Sequence, residues 1–239
     1  VAKSKVFLTA EWRKLALAQY AVDKEILKKY LPPNTVLDDW KGKYYVSLVG
    51  FMFVNVKLLG VNIPFHTNFE EVNLRFYVKY KEGDVWKRGV VFIKEIVPLP
   101  AITFVANTIY KENYQTLPMK HMWSATAGEL KVDYLWKAEK WHNFAITASS
   151  KAVDIPIGSE EEFITEHYWG YTATGPNSTS EYGVEHPRWE VYQVKSYTIN
   201  VDFNLNYGAD FAFLNNAEPD SVMLAEGSEI RVSKGRKFN

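Results

Sequence analysis

Glu71-Val72-Asn73-Leu74-Arg75-Phe76-Tyr77-Val78-Lys79-Tyr80, then Lys81-Glu82-Gly83-Asp84, then the run from Val85 to Ile96, is the stretch that decides the fold. Val72, Leu74, Phe76, Val78 and Tyr80 fall on one side of an extended chain, and Asn73, Arg75, Tyr77 and Lys79 on the other. Alternation with period two marks a strand, because successive side chains leave a pleated backbone on opposite faces. Glu82-Gly83-Asp84 supplies a turn, so the stretch predicts an antiparallel hairpin.

The same pattern recurs outward from it. Leu130, Val132, Tyr134 and Trp136 alternate after the turn Ala127-Gly128-Glu129, with Trp141 to Ala148 as the expected partner strand. Tyr197, Ile199, Val201, Phe203 and Leu205 alternate with polar residues, which predicts one long strand with a polar face. Helices are few. Asp23 is placed to cap a helix that runs to Tyr30 and ends at Pro32-Pro33. Ser159 with Glu162 three residues on forms a capping box for a helix to about Tyr168. Pro100 at a first helical position favours a helix over the Ile102, Val105, Ala106, Ile109, Tyr110 spacing. Gly170 to Gly183, with Gly175-Pro176-Asn177-Ser178 inside it, reads as a long surface loop able to cover a pocket. No Ser/Gly/Pro-rich linker and no internal repeat interrupts this order, so residues 1–239 are expected to form one mainly β (α+β) domain.

Composition narrows the function by exclusion. The chain has 28 basic and 28 acidic residues, so no net field draws in a phosphate backbone or an anionic membrane, and nucleic acid is not expected as a partner. Zero cysteines remove disulfides, thiolate nucleophiles and Cys-ligated metals. The N-terminus shows no signal peptide, and the most apolar run, Tyr44 to Val56, is broken by Ser47, Gly50 and Asn55. A cytoplasmic protein without membrane attachment is the expectation. Gly-x-Ser-x-Gly, Gly-x-Gly-x-x-Gly, P-loop and His-Glu-x-x-His motifs are missing, and His66, His121, His142, His167 and His186 are scattered. No metal and no cofactor are therefore expected. The basic tail of Arg231, Lys234, Arg236 and Lys237 reads as a solvated strand end.

Two places carry candidate chemistry. On the first hairpin, the pleat puts Glu71, Asn73, Arg75 and Tyr77 on one face. That face is either solvated, as sheets commonly keep one face wet, or the interior of a barrel where Glu71 and Arg75 hold a small polar substrate; spacing alone favours the solvated face. The second place is Leu117-Pro118-Met119-Lys120-His121. Lys120 becomes a nucleophile toward a carbonyl when its amine is neutral, which Tyr114 and Trp123 would favour by desolvation and His121 by its charge. The plainer reading is an exposed loop lysine.

Asn68-Phe69-Glu70-Glu71-Val72-Asn73-Leu74-Arg75-Phe76-Tyr77-Val78, Val90 to Lys94, Tyr114 to Lys120 and His186-Pro187-Arg188-Trp189 resemble an uncharacterised conserved bacterial family, a domain of unknown function grouped with the acetoacetate decarboxylase-like superfamily. The openings Trp12 to Pro33 and Gly42 to Phe53 resemble it too, so the likeness covers most of the chain. The resemblance implies a curved antiparallel sheet or conical barrel around a central cavity, with a few peripheral helices. The decarboxylase acts through a Schiff-base lysine in a Pro-Lys-Lys motif; here Pro118-Met119-Lys120 puts Met119 at the nucleophile's position, and Lys120 matches the second lysine. Glu71 resembles the glutamate near the decarboxylase's substrate, and His186 and Trp189 belong to the resembled family's pattern.

Two functions emerge as expectations. One is a small-molecule enzyme for a carbonyl or organic-acid substrate, with Lys120 as amine or electrostatic group, Glu71 as acid or base, Arg75 holding a carboxylate, and Asn73, His121, His186 and Trp189 contacting substrate. The other is a non-catalytic binder whose 37 aromatic residues line a cavity for an apolar or amphipathic metabolite. Both have a small molecule as the partner.

Overall fold

A computed structural model describes residues 6–239. Its strands belong to one continuous, strongly curled sheet, mostly antiparallel. The hairpin expected between Glu71 and Ile96 is there: β5 (Phe69–Glu82) and β6 (Val85–Val97) pair through the two-residue turn Gly83-Asp84, where Gly83 takes φ +59°. On the other side of β5 lies β3 (Tyr44–Leu58), then β1 (Val6–Val22), then β14 (Ser221–Ser233). Beyond β6 come β11 (Trp169–Gly175), β12 (Ser178–Glu185) and β15 (Arg236–Phe238). β12 also meets β14 through two residue pairs, Val184 with Val232 and Glu185 with Arg231. The sheet thus touches itself without forming a full barrel.

From β14 the sheet continues outward as an arm of β13 (Glu190–Asn200), β10 (Lys140–Asp154), β9 (Glu129–Ala138) and β8 (Met119–Thr126). The arm folds back over the outer face of the curl. Leu130, Val132, Tyr134, Trp136, Phe144 and Ile146 form one core with Ala16, Ala18, Leu48, Val72, Leu74 and Phe76. Burying side chains of this size contributes roughly 1.5–3 kcal/mol each. A second core sits on the inner face, where Leu15, Leu17, Tyr45, Val49, Phe51, Tyr77, Val90 and Trp189 meet. β5 is consequently covered on both faces: Glu71, Asn73 and Arg75 are 2%, 1% and 8% exposed. The solvated-face reading of that strand is corrected, because it overlooked the arm that covers the apolar face and leaves the polar one to point inward.

Short elements complete the fold: β2 (Val36–Leu37), β4 (Val61–Asn62), β7 (Tyr114–Thr116), α1 (Lys24–Lys28), α2 (Pro100–Val105), α3 (Glu160–Thr165) and α4 (Phe203–Tyr207). Asp23 caps α1 by accepting from Glu25 N–H at 2.9 Å. Ser159 caps α3 from Glu162 N–H at 3.2 Å, while the Glu162 carboxylate accepts from Gly158 N–H. α3 ends at Thr165 rather than near Tyr168, since His167 turns inward to reach Asp38. The expected long strand through Leu205 stops at Asn200: the Asp202 carboxylate accepts from Leu205 N–H at 3.0 Å and starts α4 instead. Gly170 to Gly183 is not a loop but the β11–β12 hairpin. Its glycines serve close approach, as a Cβ at Gly170 would sit 2.2 Å from the Tyr182 ring. Among the described residues no helix is long and apolar enough to cross a membrane.

The two layers are keyed together at Tyr134. In β1 the pairing with β3 shifts between Arg13 and Ala16, with Lys14 at φ +55°, and the Tyr134 hydroxyl donates to the Lys14 carbonyl at 2.7 Å. The ring of Tyr134 lies flat against Gly50, where a Cβ would come within 2.8 Å of it. Gly50→Ala is therefore expected to cost about 1–3 kcal/mol of unfolding free energy, read as a lowered urea midpoint with an unchanged m-value.

Candidate functional site

The inner face of the curl holds a half-open cavity of about 170 Å³. β5 delivers Glu71, Asn73 and Arg75 to it by simple alternation. β6 does so by breaking alternation. Arg75 pairs with Phe92 but Leu74 pairs with Lys94, so Ile93 is an extra residue opposite the step between them. A bulge of this kind reverses the facing of every later residue in the strand. Phe92 and Glu95, three residues apart, both face the cavity, and Lys94 turns to the other side. Asn113 Nδ2 stabilises the bulge by donating to the Ile93 carbonyl at 2.7 Å.

A third segment is brought in by an unusual helix end. α2 widens into a π-helical turn over Ala106–Tyr110, and Lys111 closes it in the left-handed region at φ +61°. The chain then runs parallel to β6, with Tyr114 paired to Glu95. The Asn107 side chain grips the Tyr114 backbone at both ends, accepting from its N–H at 2.7 Å and donating to its carbonyl at 2.8 Å. Sheet register thus sets Asn73, Glu95 and Tyr114 side by side on three neighbouring strands.

The polar groups are unevenly satisfied. Asn73 Nδ2 donates to Glu71 Oε1 at 2.9 Å, and the Tyr114 hydroxyl donates to Glu71 Oε2 at 3.3 Å. Thr172 donates to Glu112 at 2.5 Å. Asn73 Oδ1, Arg75 Nε, Glu95 Oε2, His167 Nδ1 and Trp12 Nε1 are buried without a hydrogen-bond partner among the described residues. All five belong to residues that line the cavity. Its remaining wall is largely apolar, including Leu15, Phe51, Phe53, Val90, Phe92, Trp169, Val184 and Trp189.

Burial governs the protonation of this set, because removing water disfavours a charged carboxylate. Desolvation lifts Glu71 to about 7, against the hydrogen bonds from Asn73 and Tyr114 and the nearby positive charge of Arg75. It lifts Glu112 to about 7 as well, and Glu95 well above the usual carboxylate range, with the neighbouring Glu112 and Glu71 adding to the effect. Tyr114 and Tyr182 are pushed up by burial and then by these carboxyls, so both stay protonated donors at neutral pH. His167 is lowered to about 4 by burial despite its hydrogen bond to Asp38 at 3.2 Å. Asp38 is buried too, yet bonds from His167, Arg88 (2.7 Å) and Lys79 (3.0 Å) hold it well below the usual range. Neutral His167 therefore keeps its proton on Nε2, facing the Asp38 carboxylate, and offers a bare Nδ1.

Of the residues singled out in the sequence, Glu71, Asn73, Arg75, His186 and Trp189 line this cavity. His186 stacks on Trp189 with ring centres 4.3 Å apart, and Trp189 Nε1 donates to Ser228 at 2.8 Å. Lys120 and His121 are elsewhere. They sit on β8, the outermost strand of the arm, where Lys120 is exposed over the Trp141 ring at 5.1 Å and His121 meets Glu70 at 2.6 Å. The expected convergence of Lys120 with Glu71 is corrected: the arm carries the Pro118-Met119-Lys120 segment to the outer face. No lysine lines the cavity among the described residues. Glu95, Glu112, Tyr114, His167 and Tyr182 were missed. A signal for Glu95 existed, as an acid inside Val90-Val91-Phe92-Ile93-Lys94-Glu95-Ile96-Val97 is out of place in an ordinary core strand. Among the described residues no group of three or more His, Asp or Glu side chains is arranged to hold a metal ion.

Residues 9–229 match the profile of a family described as an uncharacterized conserved protein. The uncharacterized protein YqjF of Bacillus subtilis is 27% identical over 183 residues, covering 74% of this chain and 72% of that protein. Among solved structures, the acetoacetate decarboxylase of Legionella pneumophila matches with a TM-score of 0.65 and 10% identity over 100% of this chain and 90% of that one. The enduracididine biosynthesis enzyme MppR complexed with pyruvate matches with a TM-score of 0.64 and 13% identity over 100% and 93%. At such identities the likeness is one of fold, and the fold is acetoacetate decarboxylase-like, as the sequence resemblance implied.

The raised carboxyls have a thermodynamic consequence. Glu71 and Glu112 bind protons more tightly folded than unfolded, so the stability they contribute is complete below about pH 4.5 and is lost as pH rises through about 7. His167 works in the opposite sense, adding stability as pH rises from about 4 to 6.5. Comparing a variant with its parent separates the two. Glu112→Gln is expected to be more stable than the parent by roughly 1–3 kcal/mol at pH 8 and to lose most of that advantage at pH 5, measured by urea unfolding at both pH values.

Proposed function

The chain belongs to the DUF2071 family of uncharacterized conserved proteins, and we propose that its cavity binds a small organic acid bearing a carbonyl and moves protons on it without a covalent lysine intermediate. Arg75, buried and with no carboxylate partner in an ion pair among the described residues, holds the ligand's anionic end. Glu71, Glu95 and Glu112 form the proton store. An ionised carboxylate among them removes a proton from the carbon beside the carbonyl, the C–H electrons form a C=C bond, and a still-protonated neighbour or Tyr114 protonates the carbonyl oxygen. The product is the enol, and reversal restores the ketone. A carboxyl that titrates near the working pH suits both halves of such an exchange. The observation that carries this reading is the meeting of raised carboxyls and an unpaired arginine in one cavity. The apolar wall supports a second reading, a binder that holds the ligand unchanged.

Pyruvate, present in the MppR structure, is the first probe. Proton NMR in deuterated buffer is expected to show loss of the pyruvate methyl signal at a rate proportional to protein. Glu71→Gln should lower that rate at least tenfold, and Lys120→Ala should leave it unchanged. Binding without exchange would favour the binder. Neither binding nor exchange by any small 2-oxo acid would overturn the proposal. Borohydride added with pyruvate is expected to leave the intact mass unaltered; an adduct that Lys120→Ala removes would restore the covalent route.

A further inference from the structure

The unpaired atoms of the cavity are a partial negative image of what it binds. Two are donors, Arg75 Nε and Trp12 Nε1, and both call for an acceptor. Three are acceptors. Asn73 presents Oδ1 because its Nδ2 is committed to Glu71; His167 presents Nδ1 because its Nε2 is committed to Asp38; Glu95 presents Oε2, which accepts once that carboxyl has given up its proton. Asn73, Glu95 and His167 are each more than nine-tenths buried, and each lines the cavity. A buried acceptor left without a donor costs free energy, so three of them select a group with several donors.

We propose that the ligand is a small zwitterion, whose anionic end lies at Arg75 and whose cationic nitrogen, an ammonium or amidinium, lies among Asn73, Glu95 and His167. This rests on the organic-acid reading above and adds the second functional group. A plain carboxylic or 2-oxo acid has no donors for the acceptor side. An ammonium brings three, and its charge stabilises the ionised form of Glu71, Glu95 and Glu112, which face the cavity where, among the described residues, Arg75 is the one permanently cationic lining side chain. Tyr110, Tyr114, His167, Tyr182 and His186 are the other titratable groups that line it, and none supplies a fixed positive charge at neutral pH. The aromatic wall suits a cation, whose attraction to ring faces is strongest when water is excluded. Size suits a small ligand: about 170 Å³ is close to the ~150 Å³ void known to hold benzene, so about six to eight non-hydrogen atoms fill the cavity.

The probes are 4-aminobutyrate, butyrate and n-butylamine, titrated by calorimetry at pH 7 in phosphate and in Tris, whose ionisation heats differ. The expected result is that 4-aminobutyrate binds at least tenfold tighter than butyrate and that its binding, unlike that of butyrate, releases protons to the buffer as a carboxyl ionises beside the arriving cation. Glu95→Gln should abolish that preference while leaving butyrate binding in place, and Arg75→Met should weaken both acids but not n-butylamine. Butyrate binding as tightly as 4-aminobutyrate, or 4-aminobutyrate binding without proton release, overturns the zwitterion and leaves the organic-acid reading standing. Binding of neither acid, or of n-butylamine alone, overturns both. If Glu95→Gln fails to fold, proton release and the affinity ratio in the unaltered protein decide the matter alone.

Discussion

One extra residue in one strand sets the chemistry of this molecule. Ile93, unpaired opposite the step from Leu74 to Arg75, turns Glu95 inward and Lys94 outward. Without that bulge, the alternation that seats Val90 and Phe92 in the cavity would carry a lysine there and put the glutamate on the opposite face. The distinction decides whether an amine or a carboxyl faces the cavity. Here the interior is a carboxyl cluster beside an unpaired arginine, and the residue that makes it so is an isoleucine.

Such a cluster is costly to bury, and the rest of the architecture offsets the cost. β5 and β6 are wedged between an apolar core on their outer face and the cavity on their inner one. The outer core is built by the arm of β8, β9, β10 and β13, keyed by Tyr134 against Gly50. Stability supplied there allows Glu71, Glu95 and Glu112 to sit where water would have kept them ionised. The same arm removes Lys120 from the interior. Packing and function are in this sense one arrangement: the strands that cover the sheet's back decide which side chains remain in front.

Much of the fold was legible because it obeys local rules. The β5–β6 hairpin, the β9–β10 pair, and the caps at Asp23 and Ser159 all depend on alternation or on a side chain a few residues from the backbone group it satisfies. Glu71, Asn73 and Arg75 were legible as a shared face for the same reason. What local pattern left out was which faces are covered, since that depends on an arm built from later parts of the chain. Gly170 and Gly183 read as loop markers because a glycine that makes room for a neighbour, the Tyr182 ring at Gly170 and the Ser233 hydroxyl at Gly183, looks in sequence like one that makes a turn. Phe203 and Leu205 continued an alternation that Asp202 cancels with one hydrogen bond. Strict alternation onward from Val90 and Phe92 points to Lys94 rather than Glu95, which a single inserted residue reverses, and Asp38 with His167 are joined only by tertiary folding.

The central claim is that this interior stores protons on buried carboxyls. Carbon-13 NMR of the protein labelled at glutamate side-chain carboxyls, titrated from pH 3 to pH 9 and assigned with Glu71→Gln, Glu95→Gln and Glu112→Gln, tests it most directly. The account predicts that Glu71 and Glu112 titrate with midpoints near 7, that Glu95 titrates higher, and that removing any one shifts the other two. Midpoints for all three near the ordinary glutamate value of about 4.3, independent of one another, would contradict it.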